Sequence, residues 1–124
     1  MAIKTKPNRT ANALHYPTET VIENYPAYKG DNDRYVATVP MRTGGKPHDA
    51  FDHVNISHQP SGSVIAFNVP FREIRRFTKA CMTLLGDCED TNQVITNFCK
   101  LSTEQKHFIR NFNFDGKRTY PEGL

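Results

Sequence analysis

Between Asn68 and Gly86 the chain reads NVPFREIRRFTKACMTLLG, and no other stretch restricts the fold as strongly. Phe71, Ile74, Phe77, Cys81, Leu84 and Leu85 recur at three- and four-residue steps, a period that gathers them on one stripe of an α-helix. Pro70 suits the first helical position, where no N–H is needed, and Asn68 just upstream is placed to cap the free amides of the first turn. Gly86 supplies a left-handed stop. Arg72, Arg75, Arg76 and Lys79 recur on the opposite side, so the helix is expected to carry a buried face and a cationic face.

An apolar stripe needs a partner surface, and the preceding residues supply strands. TETVIENYPAY and RYVATVPMR are rich in β-branched and aromatic residues and are separated by the turn formers Gly30 to Asp33, the pattern of a β-hairpin. Tyr35, Ala37, Val39 and Met41 fall on one face of the second strand, Val36 and Thr38 on the other. Pro26 and Pro40 have no N–H for a ladder, so the strands are expected to be edge-like or irregular there. HVNISHQ, the turn PSGS and SVIAFNV form a second hairpin, in which the nearly continuous VIAF reads as a central strand. Residues 43–52, TGGKPHDAFD, read as a surface loop and as a second place to look for function.

After Gly86, the acids Asp87, Glu89 and Asp90 precede a short helix from Thr91 to Cys99 carrying Val94, Ile95 and Phe98. Ser102 and Gln105 match a capping box for a third helix, with Phe108, Ile109 and Phe112 on its buried side. The tail NFDGKRTYPEGL holds an Asp-Gly turn and is expected to form a short hairpin or to cover the core. Residues 1–14 carry Lys4, Lys6 and Arg9 with no acid, and read as a flexible basic arm or an extended strand edge. The expected fold is therefore α+β: an antiparallel sheet of two β-hairpins followed by two or three helices packed on one face, in a single domain over residues 15–124.

Composition narrows the function classes. With 124 residues and 37% hydrophobic content, one core is expected, burying about two-thirds of the unfolded surface. No apolar run approaches the roughly 18 residues of a membrane span, and the first ten residues lack the apolar centre of a secretory signal. A cytoplasmic, intracellular protein is expected, with no membrane partner. Cys81, Cys88 and Cys99 are an odd number without CxxC spacing, hence reduced thiols in preference to a disulfide framework or zinc knuckle.

Chemistry is sparse. His48, Asp49, Asp52 and His53 form the densest set of acid–base and metal-ligating types, but their spacing matches no helix-borne zinc pattern and solvated loop residues are the preferred reading. There is no GxSxG elbow and no phosphate-cradling loop, so neither an enzyme nor a cofactor or metal site is expected. The cationic face remains. Arg72 with Arg76 and Arg75 with Lys79 are like-charge pairs four apart, each costing about 0.2–0.5 kcal/mol, and Glu73 alone offers nearby relief. Arg110 and Tyr16 join the candidate ligand-binding set, the tyrosine as a stacking ring. An anionic partner is expected: a phosphate-bearing ligand, nucleic acid or nucleotide. The alternative is a protein-interaction or inhibitor module, of the small viral accessory type, docking the same arginines on an acidic surface. A homo-oligomer is compatible with either.

Overall fold

The computed structural model describes residues 2–111 and 117–124. The chain is α+β. Five strands, β1 (Arg9–His15), β2 (Thr20–Tyr28), β3 (Tyr35–Thr38), β6 (His53–His58) and β7 (Val64–Pro70), form one antiparallel sheet in the order β1-β2-β3-β6-β7. β3 ends at Thr38, short of the strand that the sequence carries on through Met41; β4 (Met41–Arg42) instead turns back on β5 (Lys46–Pro47) in a separate two-stranded ribbon, the latter within the stretch expected to be a surface loop. Three helices follow: α1 (Ile74–Leu85), α2 (Thr91–Cys99) and α3 (Thr103–Ile109).

Both expected hairpins are present, as β2–β3 and β6–β7. The sheet also has a strand that the hairpin count lacks. Within residues 1–14 the strand-edge reading describes Arg9 onward, where β1 pairs with β2 from Arg9↔Ala27 to His15↔Thr20. β7 lies at the sheet edge, which corrects its reading as a central strand. Its apolar run comes from cover on both faces and not from two neighbouring strands: Ile65, Ala66 and Val69 enter the helix-side core, while Val64 and Phe67 line a cavity on the other side.

Cross-strand register sorts the two faces of the sheet. Tyr35↔His58 and Ala37↔Ile56 point one way, and Val36↔Ser57 and Thr38↔Asn55 the other. The first set packs on α1, where Ile74, Phe77, Cys81 and Leu85 are buried as their spacing predicts. Tyr35 donates its hydroxyl to the Gly86 carbonyl (2.7 Å), and Asp31 N–H donates to the fully buried Thr78 hydroxyl (2.9 Å). These bonds fix both the end and the middle of α1 against the sheet.

The start of α1 differs from expectation. Pro70 is the last residue of β7, paired with His53. Residues Phe71–Glu73 make a single 3-10 turn, and α1 begins at Ile74. Asn68 caps nothing; its backbone is left-handed (φ 56°) and its carbonyl accepts from Arg118 Nη1 at 3.2 Å. Strand pairing thus holds Pro70 extended and delays the helix. Gly86 ends α1 as expected, at φ 81°. α2 has the predicted bounds with Asp90 as N-cap, but Ile95 is 54% exposed and only Val94 and Phe98 turn inward. The Ser102–Gln105 capping box is formed at α3. Phe112 and the Asp-Gly turn lie outside the described residues. The described part of the tail covers the core, with the Tyr120 ring 4.7 Å from that of Phe108 and tilted 54° to it.

The sheet curls until its first strand meets the turn between the last two. The Gln59 side chain grips Asn12, accepting from its N–H and donating to its carbonyl, both at 2.8 Å. Leu14 N–H donates to Gly62 carbonyl at 3.0 Å, and Val64 N–H to Tyr16 Oη at 2.9 Å. Gly62 has φ +77°, and a Cβ there would sit 2.7 Å from Leu14 N and 2.9 Å from Ala13 C.

Two stability outcomes follow from this packing. Phe77→Ala, at a fully buried position, should cost about 3–5 kcal/mol in urea unfolding; a loss under about 1 kcal/mol would refute the stripe's burial. Gly62→Ala should cost about 1–3 kcal/mol from backbone strain alone, with weakened hydrogen-exchange protection at the Leu14 amide; an unchanged Leu14 amide would refute the closure.

Candidate functional site

All four cations of the 72–79 stripe are solvent-exposed. Arg72 stands on the 3-10 turn, and Arg75, Arg76 and Lys79 on α1. They are not equivalent. Arg76 lies flat over the Tyr120 ring, 3.7 Å from its centroid, and donates Nη2–H to the Leu124 carbonyl at 2.9 Å. Among the described residues, Arg72, Arg75 and Lys79 have no side-chain hydrogen bond or ion pair; the ion pairs there are Arg9–Asp33, Arg34–Asp87 and His53–Asp52. Of the acids near the stripe in sequence, three are bonded to other groups, while the Glu89 carboxylate pairs with none of the four cations among the described residues. Asp87 takes Arg34 at 2.7 Å, Asp90 accepts from Gln93 N–H at 2.9 Å, and Glu73 accepts the Tyr120 hydroxyl at 2.9 Å.

The N-terminal segment reaches the same end of the helix. Tyr28 donates its hydroxyl to the Thr5 carbonyl (2.6 Å), and its ring packs edge-on against Phe71, 5.0 Å away. Ile3 N–H donates to Phe51 carbonyl and Asn8 N–H to Ala27 carbonyl, so residues 3–8 are held along the protein. Lys4 and Lys6, both exposed, flank Thr5. The Tyr28 side chain thus links the Thr5 backbone to Phe71, the neighbour of Arg72.

Two other candidates do not join this surface. Arg110, at the end of α3, sits 5.4 Å over the Phe98 ring of α2. Tyr16 is at the β1–β7 junction, where it accepts from Val64 N–H and lines the cavity on the sheet face away from α1. Since β7 runs seven residues from Val64 to Pro70, Tyr16 is at the far end of that strand from Arg72, a strand length of roughly 20 Å. A basic residue of the tail proves structural: Arg118 donates to the carbonyls of Phe67, Asn68 and Phe108 and lies 5.0 Å over the Phe77 ring. Nothing in its sequence context marks it, because its partners are backbone oxygens brought together by the fold.

The histidine and acid set is dispersed. Asp52 and His53 pair at 2.9 Å, which holds the Asp52 carboxyl below its ordinary value. Among the described residues, no group of three or more His, Cys, Asp or Glu side chains could hold a metal ion. Cys81 and Cys88 are buried and Cys99 is exposed, all as free thiols; burial pushes Cys81 up to about 12. His58, on the same strand as Val54 and Ile56, is fully buried. Its Nε2 bonds the Cys88 carbonyl at 2.7 Å, and a carbonyl can only accept, so the proton is on Nε2. Nδ1 then accepts the Ser61 hydroxyl at 2.7 Å.

Burial lowers the His58 pKa from 6.5. In the unfolded chain the ring protonates at its ordinary value, so below about 6.5 the unfolded state binds more protons and stability falls with pH until the folded ring titrates as well. The His58 Hε1 resonance should therefore titrate below 6.5 while the urea midpoint declines over the same range; a normal titration would refute the buried neutral ring. No protein-family model, no curated protein and no solved structure matches this chain.

Proposed function

We propose that this protein is a non-catalytic binding domain whose cationic surface, centred on Arg72, Arg75 and Lys79, engages the phosphates of a nucleic acid. One observation supports the reading above the others: three adjacent cations stay unpaired among the described residues, although Glu73, Asp87 and Asp90 lie nearby in sequence and are each bonded to another group. A stripe kept only for solubility would be expected to interleave or recruit acids, because like charges at helical spacing repel. The exposed Lys4 and Lys6 flank Thr5, whose carbonyl is bonded to the Tyr28 that packs on Phe71, and on this reading they would add phosphate contacts along an extended backbone instead of a single nucleotide. Arg76 is a supporting residue in this reading, since Tyr120 and Leu124 already occupy its guanidinium.

Reversing Arg72 and Arg75 to Glu should leave the melting temperature within a few degrees, because both side chains are exposed and unpaired. In gel shifts with single- and double-stranded DNA and RNA, the same variant should lose affinity by at least about tenfold and show a shallower dependence on salt. Binding by the wild type that is insensitive to salt would point to a protein partner with a few desolvated arginine contacts. Absence of binding to any nucleic acid at low salt would end the proposal.

A further inference from the structure

On the sheet face away from α1 lies a cavity of about 280 Å³. Its origin is local. Pro26 has no N–H, so the β2–β3 ladder stops after Ala27↔Thr38; Val39 N–H still reaches the Pro26 carbonyl at 3.2 Å, and beyond it the strands part. Tyr25 bridges the gap by donating its hydroxyl to the Val39 carbonyl at 2.8 Å. The curl of the sheet then brings β1 and β7 round the opposite side. Thr38 and Ser57, bonded hydroxyl to hydroxyl at 2.8 Å and both buried, form a polar floor; the walls mix the apolar Val39, Met41, Val64 and Phe67 with the polar His15, Thr43 and Asn55.

The mouth is equally defined. Tyr16 and Phe67 stand at it, 52% and 40% exposed, two of the four large apolar or aromatic side chains left open among the described residues. Apolar side chains left in water around a concavity are a ligand-site signature. The β4–β5 ribbon makes the remaining rim. It is tied down by His48 N–H to Pro40 carbonyl (2.9 Å) and packed so closely that a Cβ on Gly45 would lie 2.7 Å from Ile22 Cδ1. Its turn and second strand fall within residues 43–52, which the sequence marks as a place for function; Arg42, on β4, precedes that stretch. The ribbon presents Arg42, whose guanidinium has no hydrogen bond or ion pair among the described residues, and none of their carboxylates lines the cavity.

We propose that this cavity binds a small apolar monoanion, an aromatic or branched aliphatic carboxylate, with its hydrocarbon body against Val39, Met41 and Phe67 and its carboxylate on Arg42. A dry cavity of about 150 Å³ accepts benzene, so this one has room for about ten to twelve heavy atoms. The site is on the sheet face opposite the cationic helix and does not depend on what that helix binds.

Phenylacetate and its neutral isostere phenylacetamide, titrated into the isotope-labelled chain, separate the parts of the proposal. Phenylacetate should shift the amides of Thr38, Ser57, Val64 and Phe67 saturably below about 10 mM, with phenylacetamide about three- to tenfold weaker. Arg42→Gln, an exposed change, should bring the acid down to the affinity of the amide while leaving the rest of the spectrum in place. Equal affinities for acid and amide, or no effect of Arg42→Gln, would overturn the role of Arg42. Absence of saturable shifts at those four amides with both phenylacetate and hexanoate, or shifts confined to residues 72–79, would overturn the site.

Discussion

The rest of the molecule depends on the burial of one side of α1 across β3, β6 and β7. Ile74, Phe77, Cys81 and Leu85 occupy the sheet face that carries Tyr35, Ala37 and Ile56, and all are at most 5% exposed. At roughly 25 cal/mol per Å² of apolar surface, such a contact outweighs any surface charge term in the structure. Once that face is seated, helical geometry leaves Arg75, Arg76 and Lys79 no direction but outward. The cationic surface is thus a geometric consequence of the core, and the lack of acid partners among the described residues is the part that packing does not explain.

Around this contact the secondary bonds serve position. Arg118 is a clear case: a guanidinium, half-buried, satisfied by backbone carbonyls at the end of α3 and in β7 and placed over Phe77. Loss of solvation pulls its pKa down, yet a guanidinium is basic enough to stay charged at any ordinary pH, and the carbonyls solvate that charge. His58 plays the corresponding neutral role, joining the β6–β7 turn to Cys88 ahead of α2. Both tie chain segments that have no regular pairing with each other.

The curl of the sheet has a different origin. A meander of five antiparallel strands could lie open with both edges in water, where unpaired backbone groups invite other strands. Here Gln59 and Gly62 give the exposed side of β1 bonding partners. Pro26 prevents the β2–β3 ladder from running the full length of the strand, and the space left by that interruption becomes the cavity. One residue without an N–H therefore shapes the concave face as much as any apolar side chain does.

By itself the sequence determined those features that depend on neighbours a few residues apart. Helical spacing from Ile74 to Leu85, the Ser102 capping box, the Gly86 stop and the two hairpins are all local physics, and they are found where the residues place them. The exposure of the cationic stripe follows from the same periodicity. Tertiary structure alone decided the rest, because its partners are distant in the chain. Asn68 matches a cap in isolation, but Arg118, 50 residues away, bonds its carbonyl while strand pairing carries the chain on to Pro70. Residues 9–14 look unable to bury anything until β2 offers them a ladder. Arg76 reads as equal to Arg72 and Arg75 until Tyr120 arrives beneath it. The cavity has no sequence signature, since it is the space between strands that the curl brings round and no period or motif encodes a void.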